Sequence, residues 1–288
     1  MKGNPLLGII GGSGLYSMEG LESIEELELE TPFGQPSSPV LTGILNGKAI
    51  AFISRHGRDH RLSPSEINYR ANIYALKKLG VVQVLSVSAC GSLREDYAPG
   101  DVVIPDQLFD FTKKRKSTFF DNGLVAHVDV ADPFCTHFSA TVADSINKAQ
   151  GTVHRGGTAI TIEGPRFSTR AESNTFRAWG MSIIGMTTAP EAFLAREAEL
   201  CYAVMAHVTD YDVWYLAQEP VTVEIVLRIL KSNTALALQA ISHLLNHLDE
   251  NHTCECTNAL NRALVTNPQN IQAETRERLS ILVDKYLS

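Results

Sequence analysis

The stretch Cys201-Tyr-Ala-Val-Met-Ala-His-Val-Thr-Asp-Tyr-Asp212 decides the reading of this chain. Cys201 to Val208 is a mainly apolar run, as expected of a buried strand. It ends in two carboxylates one residue apart, Asp210 and Asp212. In open α/β sheets the mouth beyond the strand ends is where ligands bind. Carboxylates there accept hydrogen bonds, and a partly desolvated one can hold or donate a proton. A solvated acidic loop is the competing reading of the same residues.

Working outward, short apolar runs alternate with helical periodicity, which argues for an α/β sheet. Strands are expected at Leu6–Ile10, Val81–Ser88, Asp101–Ile104, Thr158–Ile162 and Ser182–Met186. Val40–Leu45 and Lys48–Ser54 read as a hairpin around Asn46-Gly47, a strong two-residue turn signal. Helices are expected at Pro64–Leu79, at 134–150, at Thr169–Trp179, at Pro190–Leu200 and across 222–249. In the last of these, Val223, Val226, Leu227, Leu230, Leu238, Ile241, Leu245 and Leu248 keep three- and four-residue spacing. The segment from Ile104 to about residue 133 reads as irregular. The expected division is a domain over residues 1–250 and a more polar extension over 251–288. Thr275–Leu287 in that extension suits a short helix, packed either on the body or on a neighbouring subunit.

The bulk numbers narrow the function class. A chain of 288 residues with 44% hydrophobic and 20% charged residues has an ordinary globular composition. A net charge of -7 makes a nucleic-acid backbone a poor partner. Lys113-Lys114-Arg115-Lys116, the one basic run, reads as a solvated loop. No stretch is long and apolar enough for a membrane span, and the first apolar run leads straight into Gly11-Gly12. A cytoplasmic protein is the expectation. Of five cysteines, Cys90, Cys135 and Cys201 lie in apolar settings and read as buried thiols. Cys254-Glu-Cys256 sits in a polar tail as either a labile disulfide or two free thiols, and two thiols alone do not make a four-ligand zinc site. No metal is expected.

Several segments can carry chemistry. Gly11-Gly12-Ser13-Gly14 follows the first strand, where small residues let backbone N–H groups approach an anion or simply form a tight turn. The dinucleotide fingerprint fails at Ser17, and no P-loop lysine is present. Arg55-His56 ends another strand and offers a fork and an imidazole for a phosphate dianion. Nearby Asp59, His60 and Arg61 give thin support for a metal. Ser86 to Ser92 reads as a strand turning sharply into small residues, with Ser88 and Ala89 placed for phosphate or a ribose hydroxyl. Cys90 lacks an evident base, and no Gly-x-Ser-x-Gly elbow exists. Phe167 follows the rigid Gly164-Pro165 turn and suits either stacking on a base or core packing. Thr187 suits either an anion donor or a helix cap. An adenine ring, with its exocyclic amine beside N7, presents the groups that paired carboxyls would meet.

Together these segments resemble the trimeric branch of the purine nucleoside phosphorylase family. The carrying motifs are Gly-Gly-Ser-Gly-Leu at 11–15, Thr-Pro-Phe-Gly at 31–34, Arg-His-Gly-Arg at 55–58 and Asn-Tyr-Arg-Ala-Asn at 68–72. They continue as Ala-Cys-Gly-Ser-Leu-Arg at 89–94, Glu-Gly-Pro-Arg-Phe at 163–167, Met-Thr-Thr at 186–188 and Thr-Asp-Tyr-Asp at 209–212. The resemblance covers about residues 6 to 249. It implies a single-domain phosphorylase/hydrolase-like fold, a twisted mixed β-sheet flanked by helices. It also implies phosphorolysis of the N-glycosidic bond of 5'-methylthioadenosine, to adenine and 5-methylthioribose-1-phosphate, in purine and methionine salvage. The alternative within the family is a phosphorylase for 6-oxopurine nucleosides or methylthioinosine. Inorganic phosphate is then a co-substrate, and no cofactor is implied.

Carried over residue by residue, the resemblance assigns phosphate to Ser13, Arg55, His56, Ser88, Ala89 and Thr187. It assigns nucleoside to Phe167, Ser168, Met186, Asp210, Asp212, Val223 and His127, with the two aspartates as catalytic acids. His127 would come from a neighbouring subunit of a homotrimer. Gly185 stands where some members carry Asn, and Ser13 and Ser88 replace Thr of others. These swaps keep the hydroxyls, so altered affinity and an unaltered reaction are expected.

Overall fold

A computed structural model describes residues 5–12, 20–215, 223–248 and 254–287, with side chains for all of these except 223 and 225–232. Among them lies an 11-stranded mixed sheet, covered on its faces by helices. Its centre is set by the strands with the longest apolar runs. β1 (Leu7–Gly11) pairs in parallel with β4 (Lys48–Ser54) on one side and β5 (Gln83–Ser92) on the other. β3 (Val40–Leu45) joins β4 as the expected hairpin, with Asn46 and Gly47 both at positive φ, 52° and 75°. β2 (Glu22–Leu27) adds an exposed edge strand that its polar sequence did not announce.

β5 is the hub. It pairs in parallel with β1 and also with β11 (Cys201–Asp210), while its last residues Gly91 and Ser92 pair antiparallel with β10 (Ile183–Gly185). The sheet therefore divides beyond the middle of β5. One branch runs through β10 to β9 (Thr158–Ile162) and β7 (Gln107–Phe111). The other runs through β11 to β6 (Val102–Ile104) and β8 (Val153–Arg155). The expectation that Ser86–Ser92 turns sharply out of the strand is corrected: small residues here allow two strands to approach β5 from different sides. β7 likewise corrects the irregular reading of the segment after Ile104, its strand signal being masked by exposed Phe109 and Asp110.

Alternation along the central strands feeds two cores. Leu7 and Ile9 of β1, Leu85 of β5 and Ala203 and Met205 of β11 face α2 (Thr136–Lys148) and α5 (Val223–Leu245). Ile10, Val84, Tyr202, Val204 and Ala206 face the opposite side. There they meet α1 (Tyr69–Lys78), α4 (Thr188–Glu197) and α6 (Ala273–Leu287), the last burying Leu279, Leu282 and Val283 on this body. α1 begins five residues later than the expected Pro64, because the Asn68 side chain caps it by accepting from the Ala71 N–H. α3 (Arg170–Ala178) closes a third cluster over β9 and β10, and carries a capping box between Thr169 and Glu172. No described helix is long and apolar enough to cross a membrane.

The basic run is corrected in part. The Arg115 side chain is buried, donating to the Tyr69 hydroxyl and to the carbonyls of Ala189, Ile162 and Glu163. One side chain thus ties its loop to both turns that precede the cis prolines Pro165 and Pro190.

Candidate active site

The C-terminal ends of β1, β4, β5, β10 and β11 converge on one cavity of about 480 Å³. Its lining includes Gly12, Arg55, His56, Ser88, Ala89, Phe167, Ser168, Met186, Thr187, Asp210 and Asp212. Residues more than 150 positions apart in sequence therefore share one mouth, where the branching at β5 leaves room between strands.

The acidic end is shaped by backbone register. A bulge between Val208 and Asp210 sets Asp210 opposite Gly91 of β5. A Cβ on Gly91 would lie 3.0 Å from Asp210 Oδ1 and 3.3 Å from Asp212 Cβ, so only glycine leaves the space. Asp210 accepts from the Thr209 hydroxyl and from the Asp212 N–H, both at 2.7 Å. Each carboxyl is buried to 8% exposure. Burial raises the affinity of Asp210 for a proton, against the opposing pull of those two hydrogen bonds. Burial, with the neighbouring Asp210 charge, does the same to Asp212. Asp212 Oδ2 accepts from no protein donor. Asp212 opens a 3₁₀ turn to Trp214, whose Nε1 donates to the Ser92 carbonyl at 2.8 Å beneath the Arg177 guanidinium.

At the opposite corner the groups are polar and mostly uncharged. Thr187 occupies the cap position of α4 yet makes no capping hydrogen bond, so its hydroxyl is not spent on the helix. His56 is held neutral by burial, its pKa lowered to about 4. Its Nδ1 donates to the Leu62 carbonyl at 2.8 Å, which leaves Nε2 with a lone pair. The His60 ring stacks on it at 4.2 Å. Arg55 lines the cavity, but its guanidinium is 2% exposed and engaged in five hydrogen bonds. These go to Glu191, the carbonyls of Val87 and Ile10, and the Ser86 hydroxyl. The fork expected to clamp an anion is thus largely spent on fastening β1, β5 and α4 beneath the corner.

Between the two ends, Phe167 is 39% exposed and forms part of the cavity wall, not of a core. Gly164 at φ 66° precedes it, and a Cβ there would lie 2.7 Å from Met186 Sδ. Ser168 Oγ lacks a partner. Burial pushes the Cys90 thiol up, with the Asp210 charge adding to it, so it is no ready nucleophile.

Three expected residues stand apart. His127 is exposed and outside this cavity, its N–H bonded to the Ala263 carbonyl. Ser13 and the Val223 side chain lie outside the described residues. Sequence reading missed Glu191, Arg115, His207 and Asn233. His207, 1% exposed, lines the cavity with neither ring nitrogen bonded, and burial lowers its pKa to about 4. Asn233 also lines the cavity, with Nδ2 unpartnered. Their signal in the sequence is faint: single polar residues in an otherwise apolar strand and helix stripe.

Comparison with known proteins agrees in extent with this architecture. The phosphorylase superfamily pattern matches residues 6–246. The S-methyl-5'-thioadenosine phosphorylase of Geobacter sulfurreducens is 51% identical over 283 residues, spanning 98% of this chain and 99% of that one. A crystal structure of a methylthioadenosine phosphorylase from an antarctic soil metagenomic library superposes with a TM-score of 0.93 at 46% identity, covering 98% of this chain and 100% of that one. Methylthioadenosine phosphorylase from Schistosoma mansoni in complex with adenine gives 0.81 at 36% identity, covering 89% and 97%. The chain is a member of the phosphorylase superfamily.

Proposed function

We propose that this protein is a pentosyltransferase that cleaves 5'-methylthioadenosine with inorganic phosphate, giving adenine and 5-methylthioribose-1-phosphate. The observation that carries the reading is the buried Asp210–Asp212 pair, without a cationic partner among the described residues, facing a polar corner across an aromatic wall. Relatives of the same name over nearly the whole length support it.

Each part has a role. Phe167 covers a face of the base. Asp212 Oδ2, with no protein donor, accepts from the 6-amino group. Asp210, with its raised proton affinity, gives a proton to N7 as the bond from C1' to N9 breaks and its electron pair passes to the purine. A 6-amino group offers the donor that a carboxylate oxygen accepts and a 6-keto oxygen does not, which disfavours hypoxanthine and guanine. The ribosyl carbon gains positive character and is captured by a phosphate oxygen, forming the new C1'–O bond. Holding phosphate and nucleoside together removes entropic cost worth up to about 7–11 kcal/mol in well-oriented cases.

Ser13, Ser88, Ala89, Thr187, His56 and Arg55 form the phosphate corner in this reading. Neutral His56 serves by accepting the P–OH proton of hydrogen phosphate at Nε2, not by adding a charge. Arg55 acts mainly through the geometry it fixes. Ser168 and Met186 border the ribose, and Val223 the methylthio end. We place the protein in the cytoplasm as a homotrimer, with His127 completing a neighbour's site. Exposure of His127, and an exposed aromatic pair with Phe109 and Trp179 rings 6.0 Å apart, support assembly.

The test is adenine release from methylthioadenosine with and without phosphate, compared with methylthioinosine and inosine. Strict phosphate dependence and preference for the 6-amino substrate are expected. Release without phosphate, or faster turnover of the 6-oxo substrates, would reject the reading. Sedimentation as a monomer would remove the shared role of His127.

A further inference from the structure

The tail pair Cys254 and Cys256 does not stand alone in the fold. Cys135 enters from the start of α2 and Cys201 from the start of β11, and the four sulfurs lie within 4.8 Å of one another. Cys201 and Cys254 Sγ are 2.9 Å apart, and Cys135 and Cys254 Sγ 4.0 Å. A tetrahedral zinc ion with Zn–S bonds of about 2.3 Å needs sulfurs about 3.8 Å apart, inside this spread. Three of the four are buried, and Cys254 is half-buried.

The surroundings suit concentrated negative charge. Cys135 occupies the cap position of α2, which puts it at the positive end of a 13-residue helix. Arg196 Nη1 lies 3.4 Å from Cys256 Sγ. Four thiolates around a divalent ion leave two excess negative charges, which this guanidinium and the helix end offset. We propose that Cys135, Cys201, Cys254 and Cys256 form a structural zinc site that clamps the C-terminal segment to the start of β11 and α2.

Four protein ligands leave no open position for a substrate or water. The site also lies far from the chemistry. Cys201 and Asp210 are the first and last residues of β11, separated by roughly 30 Å at about 3.3 Å per residue. The ion therefore holds the fold and does not take part in the reaction. Zinc bound only to the folded arrangement adds its binding free energy to folding stability.

The test begins with the full chain purified under reducing conditions with zinc sulfate, then passed over chelating resin. Elemental analysis should give about one zinc per chain. A Cys254→Ser/Cys256→Ser variant should fall below about a tenth of that and melt at lower temperature. Its turnover of methylthioadenosine at 25 °C should stay within about twofold of the parent. If the variant aggregates, cobalt reconstitution of the stripped parent protein decides: thiolate-to-cobalt charge transfer with tetrahedral d–d bands is expected. Zinc retained by the double variant would overturn the assignment. So would a metal-free parent protein with five titratable thiols after zinc exposure. Fewer than five thiols without zinc would do the same, and would show disulfide pairing instead.

Discussion

At the residue scale, the proposed acid is Asp210. It is buried, it accepts two hydrogen bonds, and it still gains proton affinity because desolvation outweighs both. Asp210→Asn keeps the shape and removes the ionisable carboxyl proton. Turnover of methylthioadenosine should drop at least about tenfold, or roughly 1.4 kcal/mol in the barrier. Steady-state kinetics under saturating phosphate check this, and an unchanged kcat would end the acid assignment. Gly91 shows why such a residue is hard to reach from sequence. Its role is to be absent: the 3.0 Å clearance to Asp210 Oδ1 appears only when β5 and β11 are paired across a bulge. Asp210, Asp212, Phe167 and Thr187 were legible because a strand end, a rigid turn and a helix start each leave a local mark. His207 was not, since one polar residue in an apolar strand is a faint signal.

At the element scale, the Arg55–Glu191 pair joins β1, β4, β5, β11 and α4. Arg55 Nε meets Glu191 Oε2 at 3.1 Å with side chains 2% and 0% exposed, and Tyr202 donates to Oε1 at 2.7 Å. Removing one partner of a buried pair strands the other's charge, typically at a cost of about 3–5 kcal/mol. Glu191→Gln should therefore lower unfolding free energy by about 3 kcal/mol. Denaturant titration measures it, and a loss under about 1 kcal/mol would mean that the guanidinium finds other acceptors. The hairpin at Asn46-Gly47, α2, α3 and β11 were readable because their turn residues, caps and periodicities agree with the final packing. β7 and the true start of α1 were not. The first has exposed apolar residues where alternation should hide them, and the second depends on a side-chain cap that overrides Pro64 as a start signal. The three-sided pairing of β5 is a long-range property, visible in no single window.

For the whole molecule, pH also acts through a buried acid outside the cavity. Glu197 of α4 accepts from the Thr118 hydroxyl and the Phe119 N–H, both at 2.7 Å, and burial still pushes its pKa from 4.5 to about 7. A carboxyl with a raised folded-state pKa favours folding most below its unfolded value. That contribution is lost as pH climbs from 4.5 to about 7. At about 1.4 kcal/mol per pKa unit, up to about 3 kcal/mol is at stake. Glu197→Gln should shrink the stability difference between pH 5 and pH 8, read by denaturant unfolding of parent and variant; equal differences would discount the group. Trp214 has a separate consequence. The chain has two tryptophans, and Trp179 is 52% exposed while Trp214 sits two residues past Asp212, bonded to β5. In the proposed site, nucleoside bound beside Asp212 should change the electric field around this one indole, an intrinsic optical gauge of occupancy separable from the solvent-facing Trp179 by its emission wavelength.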